Sequence, residues 1–448
     1  MSDHAEKRPV TKILHLGNHY QAPQAVPEQE KDGELGTELC RELLAARAAG
    51  EQAQLLLYRI TNFALLVDTF GEEFGLAVEA ELLKRVQKLL RAHESAQLVR
   101  PGEFGIVARG LQSEEAVAAM ARRLVAGSSG RYGSKGQQCR LQAEIGVASY
   151  PADSQEPAEL LHFARFALLQ PEARNRGFAL FSQARLAQQK SQFWMEAEME
   201  RALDEGRFIL QYQPQFSVSS GEIIGMEALV RLVTKAGEHI PPNDFIPLAE
   251  ENGFILRLGR WVTREACRQL ARWRSAGCEL ARISVNLSPR QLLDPELLDV
   301  IDAAVLDAGL THDDLELEIT EQCVLDNSSA VGAALRAIRK RGVRVAIDDF
   351  GTGYSSFSYL AWQPLNMIKM DRSFLTRVES DERIGGIVRG MLSMARELGL
   401  EVVAEGVETE GQARFLREQG CELAQGFGLA RPQDANAITP LLPQLQCA

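Results

Sequence analysis

From Arg207 onward two strands come first and then short apolar segments alternate with long amphipathic ones, and this alternation limits the fold more than any other feature of the chain. Strands are expected at Phe208–Phe216, Ile223–Val230, Arg282–Asn286, Leu315–Ile319, Val343–Asp348, Met367–Met370, Glu401–Glu405 and Glu422–Gln425. Helices are expected at Leu258–Ala276, Pro295–Ala308, Ala330–Arg341, Ile384–Leu398 and Glu410–Gln419. Repeated strand–helix units imply a parallel sheet, because parallel neighbours need a long crossover. Eight strands in about 240 residues fit one closed barrel better than two open sheets.

Polar residues sharpen that expectation. Nearly every expected strand closes on one: Glu227, Asn286, Glu318, Asp348 with Asp349, Lys369, Glu405 and Gln425. Parallel strands are normally apolar throughout, since both faces are covered. In a barrel such strand ends converge on one rim, where barrel enzymes place their chemistry. Most of the set are hard oxygen donors, with neither thiols nor imidazoles among them, which selects Mg²⁺ or Mn²⁺ over zinc or copper. Carboxylates packed this closely repel one another without cations. The adjacent pair Asp348-Asp349 suits a carboxylate bridging two metals roughly 4 Å apart, the arrangement used for in-line displacement at phosphorus.

Each residue alone also has an ordinary reading. Glu227 fits a surface ion pair, and Asn286 fits a cap for the helix after Pro289. Glu318 and Glu321 fit the decoration of a helix start, and Lys369 fits a surface pair with Asp371. Their coincidence at successive strand ends favours a site. Gly351-Thr352-Gly353-Tyr354-Ser355-Ser356 follows the two aspartates and reads as a lid or ligand-ordering loop, with Glu321 as its anchor.

The remainder of the chain is different in kind. Residues 1–35 read as a flexible tail, with prolines, charges and no apolar period. Residues 36–185 read as a small α/β domain: helix Thr37–Ala49, strand Gln54–Ile60, a long helix through Phe74, Val78, Leu82, Val86 and Leu90, and a hairpin turning at Arg100-Pro101-Gly102-Glu103. Ala184–Gly206 reads as a connecting helix, and residues 186–448 form the barrel domain. With 49 Lys plus Arg against 61 Asp plus Glu, the net charge of −12 argues against a general polyanion binder, so DNA is not an expected partner. No apolar run reaches the roughly 18 residues of a membrane span. The seven scattered cysteines include no CxxC pair, so neither a disulfide framework nor a structural zinc site is expected. These features fit a reduced, cytoplasmic protein away from membranes.

The barrel domain resembles the EAL family of cyclic di-GMP phosphodiesterases over about residues 190–440. The resemblance rests on Tyr212-Gln213-Pro214, MEALVR (226–231), VNLSP (285–289), LEIT followed by Glu321, IDDFGTGYSS (347–356), IKMD (368–371), AEGVE (404–408) and AQGF (424–427). It implies a TIM-like (β/α)8 barrel that hydrolyses cyclic di-GMP to linear pGpG with two Mg²⁺ or Mn²⁺ ions. By the same resemblance, Glu227, Asn286, Glu318, Asp348 and Asp349 are metal ligands. Glu405 is another ligand or orients the water, Lys369 positions that nucleophile, and Glu321 anchors the loop. Gln213, Leu229, Arg231 and Gln425 belong to the substrate pocket, with Arg231 on a substrate phosphate. The resemblance further implies a homodimer through this domain. The alternative from another class is a non-catalytic cyclic di-GMP receptor, and the retained metal set separates the two.

The first domain resembles the GGDEF diguanylate cyclase family through NFALLVDTFGEEFG (62–75), the EF of PGEFG (101–105), IGVASYP (145–151) and NRGFALF (175–181). Against that family its chemistry looks lost. Arg100-Pro101-Gly102-Glu103-Phe104 replaces the signature, Arg59 stands where a metal-binding Asp is expected, and Val67 and Leu76 stand where guanine-reading residues are expected. Arg91-x-x-Glu94 occupies the position of the family's product-inhibition motif and reads more simply as a surface ion pair. The implied role is regulation, dimerisation or docking of a protein partner.

Overall fold

The computed structural model describes residues 37–91, 94–111, 113–128, 130–134, 136–325, 329–352, 359–360 and 362–443. The expected tail therefore lies outside the described residues. So do Gly353–Ser356 of the expected rim loop. The chain divides into two compact units, Met1–Phe193 and Trp194–Ala448. The division falls inside one continuous helix, Gln183–Asp204.

The first unit is built on β1 (Ala53–Ile60), β2 (Ser95–Arg100), β3 (Glu103–Arg109), β4 (Arg131–Ser134), β5 (Gln137–Arg140), β6 (Ala143–Tyr150) and β7 (Phe178–Leu180). Five strands form a sheet in the order β2-β3-β1-β6-β7, and β4 and β5 form a separate hairpin that the sequence pattern does not reveal. The central strand β1 is buried on both faces because its period of two feeds two cores. Leu55 and Leu57 face the helices Thr37–Ala49 and Pro157–Leu168, whereas Leu56 and Tyr58 face Glu72–Leu89 and Glu114–Ser128. The expected long helix through Phe74 and Val86 is Glu72–Leu89; a further helix, Phe63–Phe70, precedes it, and Gly71 with φ 89° separates the two. Glu94 does not form the expected side-chain pair with Arg91. Its carboxylate accepts from the Arg91 backbone N–H at 2.8 Å and faces Arg123 at 3.8 Å.

The second unit closes a barrel from β8 (Phe208–Ser217), β9 (Ile223–Val233), β11 (Arg282–Asn286), β12 (Leu315–Thr320), β13 (Arg344–Phe350), β14 (Met367–Met370), β15 (Glu401–Ala404) and β16 (Leu423–Ala424). The two-residue β10 (His239–Ile240) adds to the outer part of β9. Neighbours from β9 round to β16 run parallel, as expected. The first strand departs from that pattern: β8 is antiparallel to both β9 and β16. Only residues 218–222 join β8 to β9, too few for a crossover helix, so the pair is a hairpin.

Strand alternation sorts the barrel into an apolar outside and a layered inside. Ile283, Val285, Leu315, Leu317 and Ile319 pack outward under the helices. Inside, the N-terminal mouth carries an ion-pair layer in which Glu401 meets Arg282 at 2.8 Å and Arg344 at 2.9 Å. Above it lies a thin apolar plug of Ala346, Met367, Val403 and Leu423. The layer above the plug is the polar set read from the sequence.

Candidate active site

The centre of that layer is Lys369. Its side chain is 1 % exposed, and Nζ lies 3.2 Å from Glu227, 2.5 Å from Glu318, 3.2 Å from Asp348 and 2.9 Å from Glu405. A lone buried ammonium is costly, and here four carboxylates surround it, three from β9, β12 and β13 and the fourth just after β15. They raise its pKa well above the usual value despite burial acting the other way. The surface pair with Asp371 is not formed; Asp371 instead caps the helix Arg372–Leu375 through the Ser373 N–H.

Glu227 does not close its strand. It sits within β9, which runs on to Val233 because its outer half pairs with β8 and β10. Its carboxylate accepts from Asn286 Nδ2 at 2.9 Å and from Gln425 Nε2 at 2.6 Å. Asn286 is thus drawn into the rim, while Ser288 caps the helix Pro289–Leu292. Gln425 also donates to Gln213 Oε1 at 3.0 Å, and Gln213 donates to the Ala430 carbonyl at 3.1 Å. Glu318 is buried in β12 rather than decorating a helix start.

Asp348 and Asp349 are neighbours, so a regular strand would point them to opposite faces. The register between β13 and β14 shifts between Ile347 and Phe350. Asp349 takes φ 53°, the one non-glycine positive φ among the described residues. This bulge re-aims the backbone. As a result, carboxylate oxygens of Asp348, Asp349 and Glu405 all lie within 4.8 Å of one another. Glu321 begins the helix Glu321–Leu325 and accepts from the Gly351 N–H at 2.8 Å, which pins the chain just beyond the bulge.

The charges show what the rim requires. Glu227, Glu318, Asp348, Asp349 and Glu405 carry five formal negative charges against one on Lys369, a deficit that two divalent cations would balance. The protonation equilibria register the same deficit. Burial, then the Glu227 charge, pushes Glu318 well above the usual carboxylate range. Burial pushes Glu405 up to about 7, and burial with Asp348 raises Asp349. Glu227 alone goes down: burial opposes its charge, but Lys369, Gln425 and Asn286 outweigh that. The buried Glu318 Oε1 has no hydrogen-bond partner, an orphan acceptor inside the cluster. An all-oxygen, electron-rich set of this kind fits Mg²⁺ or Mn²⁺.

Leu229 and Arg231 follow Glu227 on the mouth-facing side of β9, and both are half-buried. Arg231 Nε donates to Gln211 Oε1 at 3.1 Å. Gln211 was not among the residues singled out from sequence. Its signal was there, in the alternating glutamines 211, 213 and 215 of β8, whose period of two places them on one face.

Residues 196–432 match the EAL domain family, and residues 34–177 match the family described as diguanylate cyclase, GGDEF domain. Among curated relatives, the bifunctional diguanylate cyclase/cyclic di-GMP phosphodiesterase MucR of Pseudomonas aeruginosa is 34% identical over 86% of this chain and 56% of its own length. The cyclic di-GMP phosphodiesterase NbdA of the same organism is 36% identical over 88% of this chain and 51% of its own length. The chain thus spans about half the length of the curated relatives it matches. A solved structure of the MucR phosphodiesterase in complex with c-di-GMP is 39% identical, with a TM-score of 0.52 over 55% of this chain and 99% of that one. The FimX EAL domain of Xanthomonas citri, in complex with c-diGMP, is 26% identical with a TM-score of 0.52, over 55% of this chain and 96% of that one. The chain belongs to the EAL domain family and carries a GGDEF-family domain ahead of its barrel.

Proposed function

We propose that this protein hydrolyses cyclic di-GMP to linear pGpG at the barrel rim, with two divalent cations. The observation that carries this reading is the charge deficit around Lys369, set in a barrel two of whose solved relatives are complexes with that dinucleotide. Glu227, Asn286, Glu318, Asp348 and Asp349 would hold the ions, which when bound supply an activated water and neutralise charge on the phosphoryl oxygens. Glu405 orients the water, whose oxygen bonds to phosphorus as the P–O3′ bond breaks and the 3′ oxygen leaves as a hydroxyl. Lys369 holds the carboxylates in place and offers a fixed positive charge near that water. Arg231 binds a phosphate oxygen from the mouth, and Gln213, Leu229 and Gln425 shape the pocket. Glu321 keeps the chain beyond Asp349 in register.

In this reading the first domain makes no cyclic di-GMP and regulates the barrel, dimerises or docks a partner. A second copy would join through the barrel, where Trp362 is 82% exposed and Ile387 48%. The test is purified protein with cyclic di-GMP and Mg²⁺, followed by chromatography of the products. The pGpG peak is expected and should vanish with EDTA. Tight binding without any turnover would instead favour the receptor. No helix among the described residues is long and apolar enough to cross a membrane.

A further inference from the structure

We propose that Gln211 is a positioning residue that, held by Asp434, presents the Arg231 guanidinium end-on to an anionic phosphodiester at the barrel mouth. The proposal rests on the functional reading above for the identity of that ligand. The geometry starts from β8. Gln213 and Gln215 point into the barrel, where they meet Gln425 and Ser284. Gln211 is two residues further toward the mouth on the same face, directly across from Leu229 on β9. From there its amide oxygen accepts from Arg231 Nε at 3.1 Å, while Arg231 Nη1 donates to the Val230 carbonyl at 2.9 Å. Nε and one hydrogen of Nη1 are thereby committed to protein acceptors. What remains for a ligand is Nη2 with the second hydrogen of Nη1, neighbouring donors able to grip phosphate oxygens.

An amide can present either its oxygen or its nitrogen, and only the oxygen suits a guanidinium donor. Asp434 settles which. Tyr212 and Gln433 exchange both backbone hydrogen bonds, at 2.8 and 3.0 Å. In that antiparallel register the next facing pair is Gln211 and Asp434. Gln211 Nε2 lies 3.5 Å from Asp434 Oδ1, so the nitrogen faces the carboxylate and the oxygen faces the arginine. A flipped amide would set acceptor against acceptor on one side and donor against donor on the other. Burial lowers the Arg231 pKa somewhat, which the nearby Glu227 charge counters, so the group stays cationic as this role needs.

The test uses the full chain, cyclic di-GMP and Mg²⁺, with steady-state kinetics and melting curves. Gln211→Leu removes the acceptor and leaves an apolar side chain one carbon shorter. KM should rise about five- to tenfold, with kcat within about twofold and no loss of melting temperature. Asp434→Ala, which frees the amide to flip, should raise KM about two- to threefold. In the Arg231→Ala background, Gln211→Leu should add nothing, since its effect passes through the arginine. Unchanged KM in Gln211→Leu, or effects that add in the double variant, would overturn the positioning role while leaving the phosphodiesterase reading intact. A wild-type chain that neither binds nor cleaves cyclic di-GMP would overturn that reading, and with it the ligand assigned to Arg231.

Discussion

Two regions of this molecule gather carboxylates from several strands, and they satisfy them in opposite ways. At the barrel rim, five carboxylates share one ammonium. In the first unit, Glu144 meets Arg59 at 3.2 Å, and Glu103 meets Arg100 at 2.7 Å and Arg165 at 3.4 Å. Three guanidiniums there meet Glu144 and Glu103, and the nearby Glu79 accepts from the Gly102 N–H of the hairpin at 2.6 Å. The rim sets one ammonium against five carboxylates, the deficit that the proposed divalent cations would fill; the hairpin region supplies its own counter-charges. Arginine keeps its charge at any physiological pH, so those carboxylates stay paired within the protein. Space follows the same division. A Cβ on Gly102 of the hairpin would lie 2.8 Å from the Phe63 ring, and one on Gly75 would lie 2.6 Å from Val67, so these side chains pack where hairpin and helices approach.

The comparison breaks first on the metal. Glu227→Ala or Asp348→Ala should lower turnover by roughly a thousandfold or more, equal to about 4 kcal/mol of barrier. Full chelation with EDTA should do the same to the wild type. Arg100→Ala, which loosens the other carboxylate site, should change turnover by no more than about twofold. Turnover that survives EDTA would remove the distinction between the two regions.

Much of this contrast was legible in the residues, for identifiable reasons. The barrel could be read because each strand is an apolar run bounded by turn residues, and the donor set because carboxylates are rare on such runs. The reversed β8 was missed although the five-residue link 218–222 announces it, since composition carries no strand direction. The end of β9 was misplaced because its outer half is held by β8 and β10, not by its parallel neighbour. The bulge that turns both Asp348 and Asp349 to the rim is a register shift, visible only once β13 and β14 are paired. Likewise Arg59 could be seen to lack a metal ligand's chemistry, but its partner Glu144 lies 85 residues away and is brought opposite by β1–β6 register.

The next two predictions sharpen roles within the rim. Lys369→Met should lower kcat by about a hundredfold, because it removes the fixed charge near the water and leaves Glu318 and Glu227 facing each other unrelieved. Melting temperature should fall too, since the buried ion cluster would lose the cation at its centre. Arg231→Ala should act on the other parameter. KM should rise roughly ten- to thirtyfold with kcat much less affected, as loss of a charge-assisted contact to bound substrate requires. Unchanged KM in Arg231→Ala would contradict its place on the phosphate.

A smaller effect is expected from joining or separating the regions. Leu186 of the helix Gln183–Asp204 is buried in the first unit's core, and Met195, Met199 and Ala202 of the same helix are buried in the barrel's core. The regulatory role proposed for the first unit would run through this continuous helix. Removing residues 1–185 should therefore change kcat/KM by about fivefold or change the oligomeric state. Identical kinetics and identical mass by light scattering would leave the first unit without a regulatory role.

The smallest expected effect is none at all, and it tests the comparison from the other side. If Arg59 alone blocked metal binding in the first unit, Arg59→Asp would restore a carboxylate and some cyclase activity. The packing argues otherwise. The substitution would put a third carboxylate beside Glu144 and Glu103, which gains a metal donor but removes a guanidinium that holds Glu144 at 3.2 Å. It would leave Arg100 and Arg165 on Glu103. It would also leave Val67 and the 63%-exposed Leu76 without any group able to pair with a guanine edge, and a base held there would bury donors and acceptors unsatisfied. Phe63 would still lie against Gly102 of the hairpin. Arg59→Asp, like the wild type, should thus form no cyclic di-GMP from GTP and Mg²⁺, measured by chromatography in the Asp348→Ala background so that no product is hydrolysed. Any accumulation of cyclic di-GMP in either form would show that the cleft admits a nucleotide, and that the two regions differ in degree and not in kind.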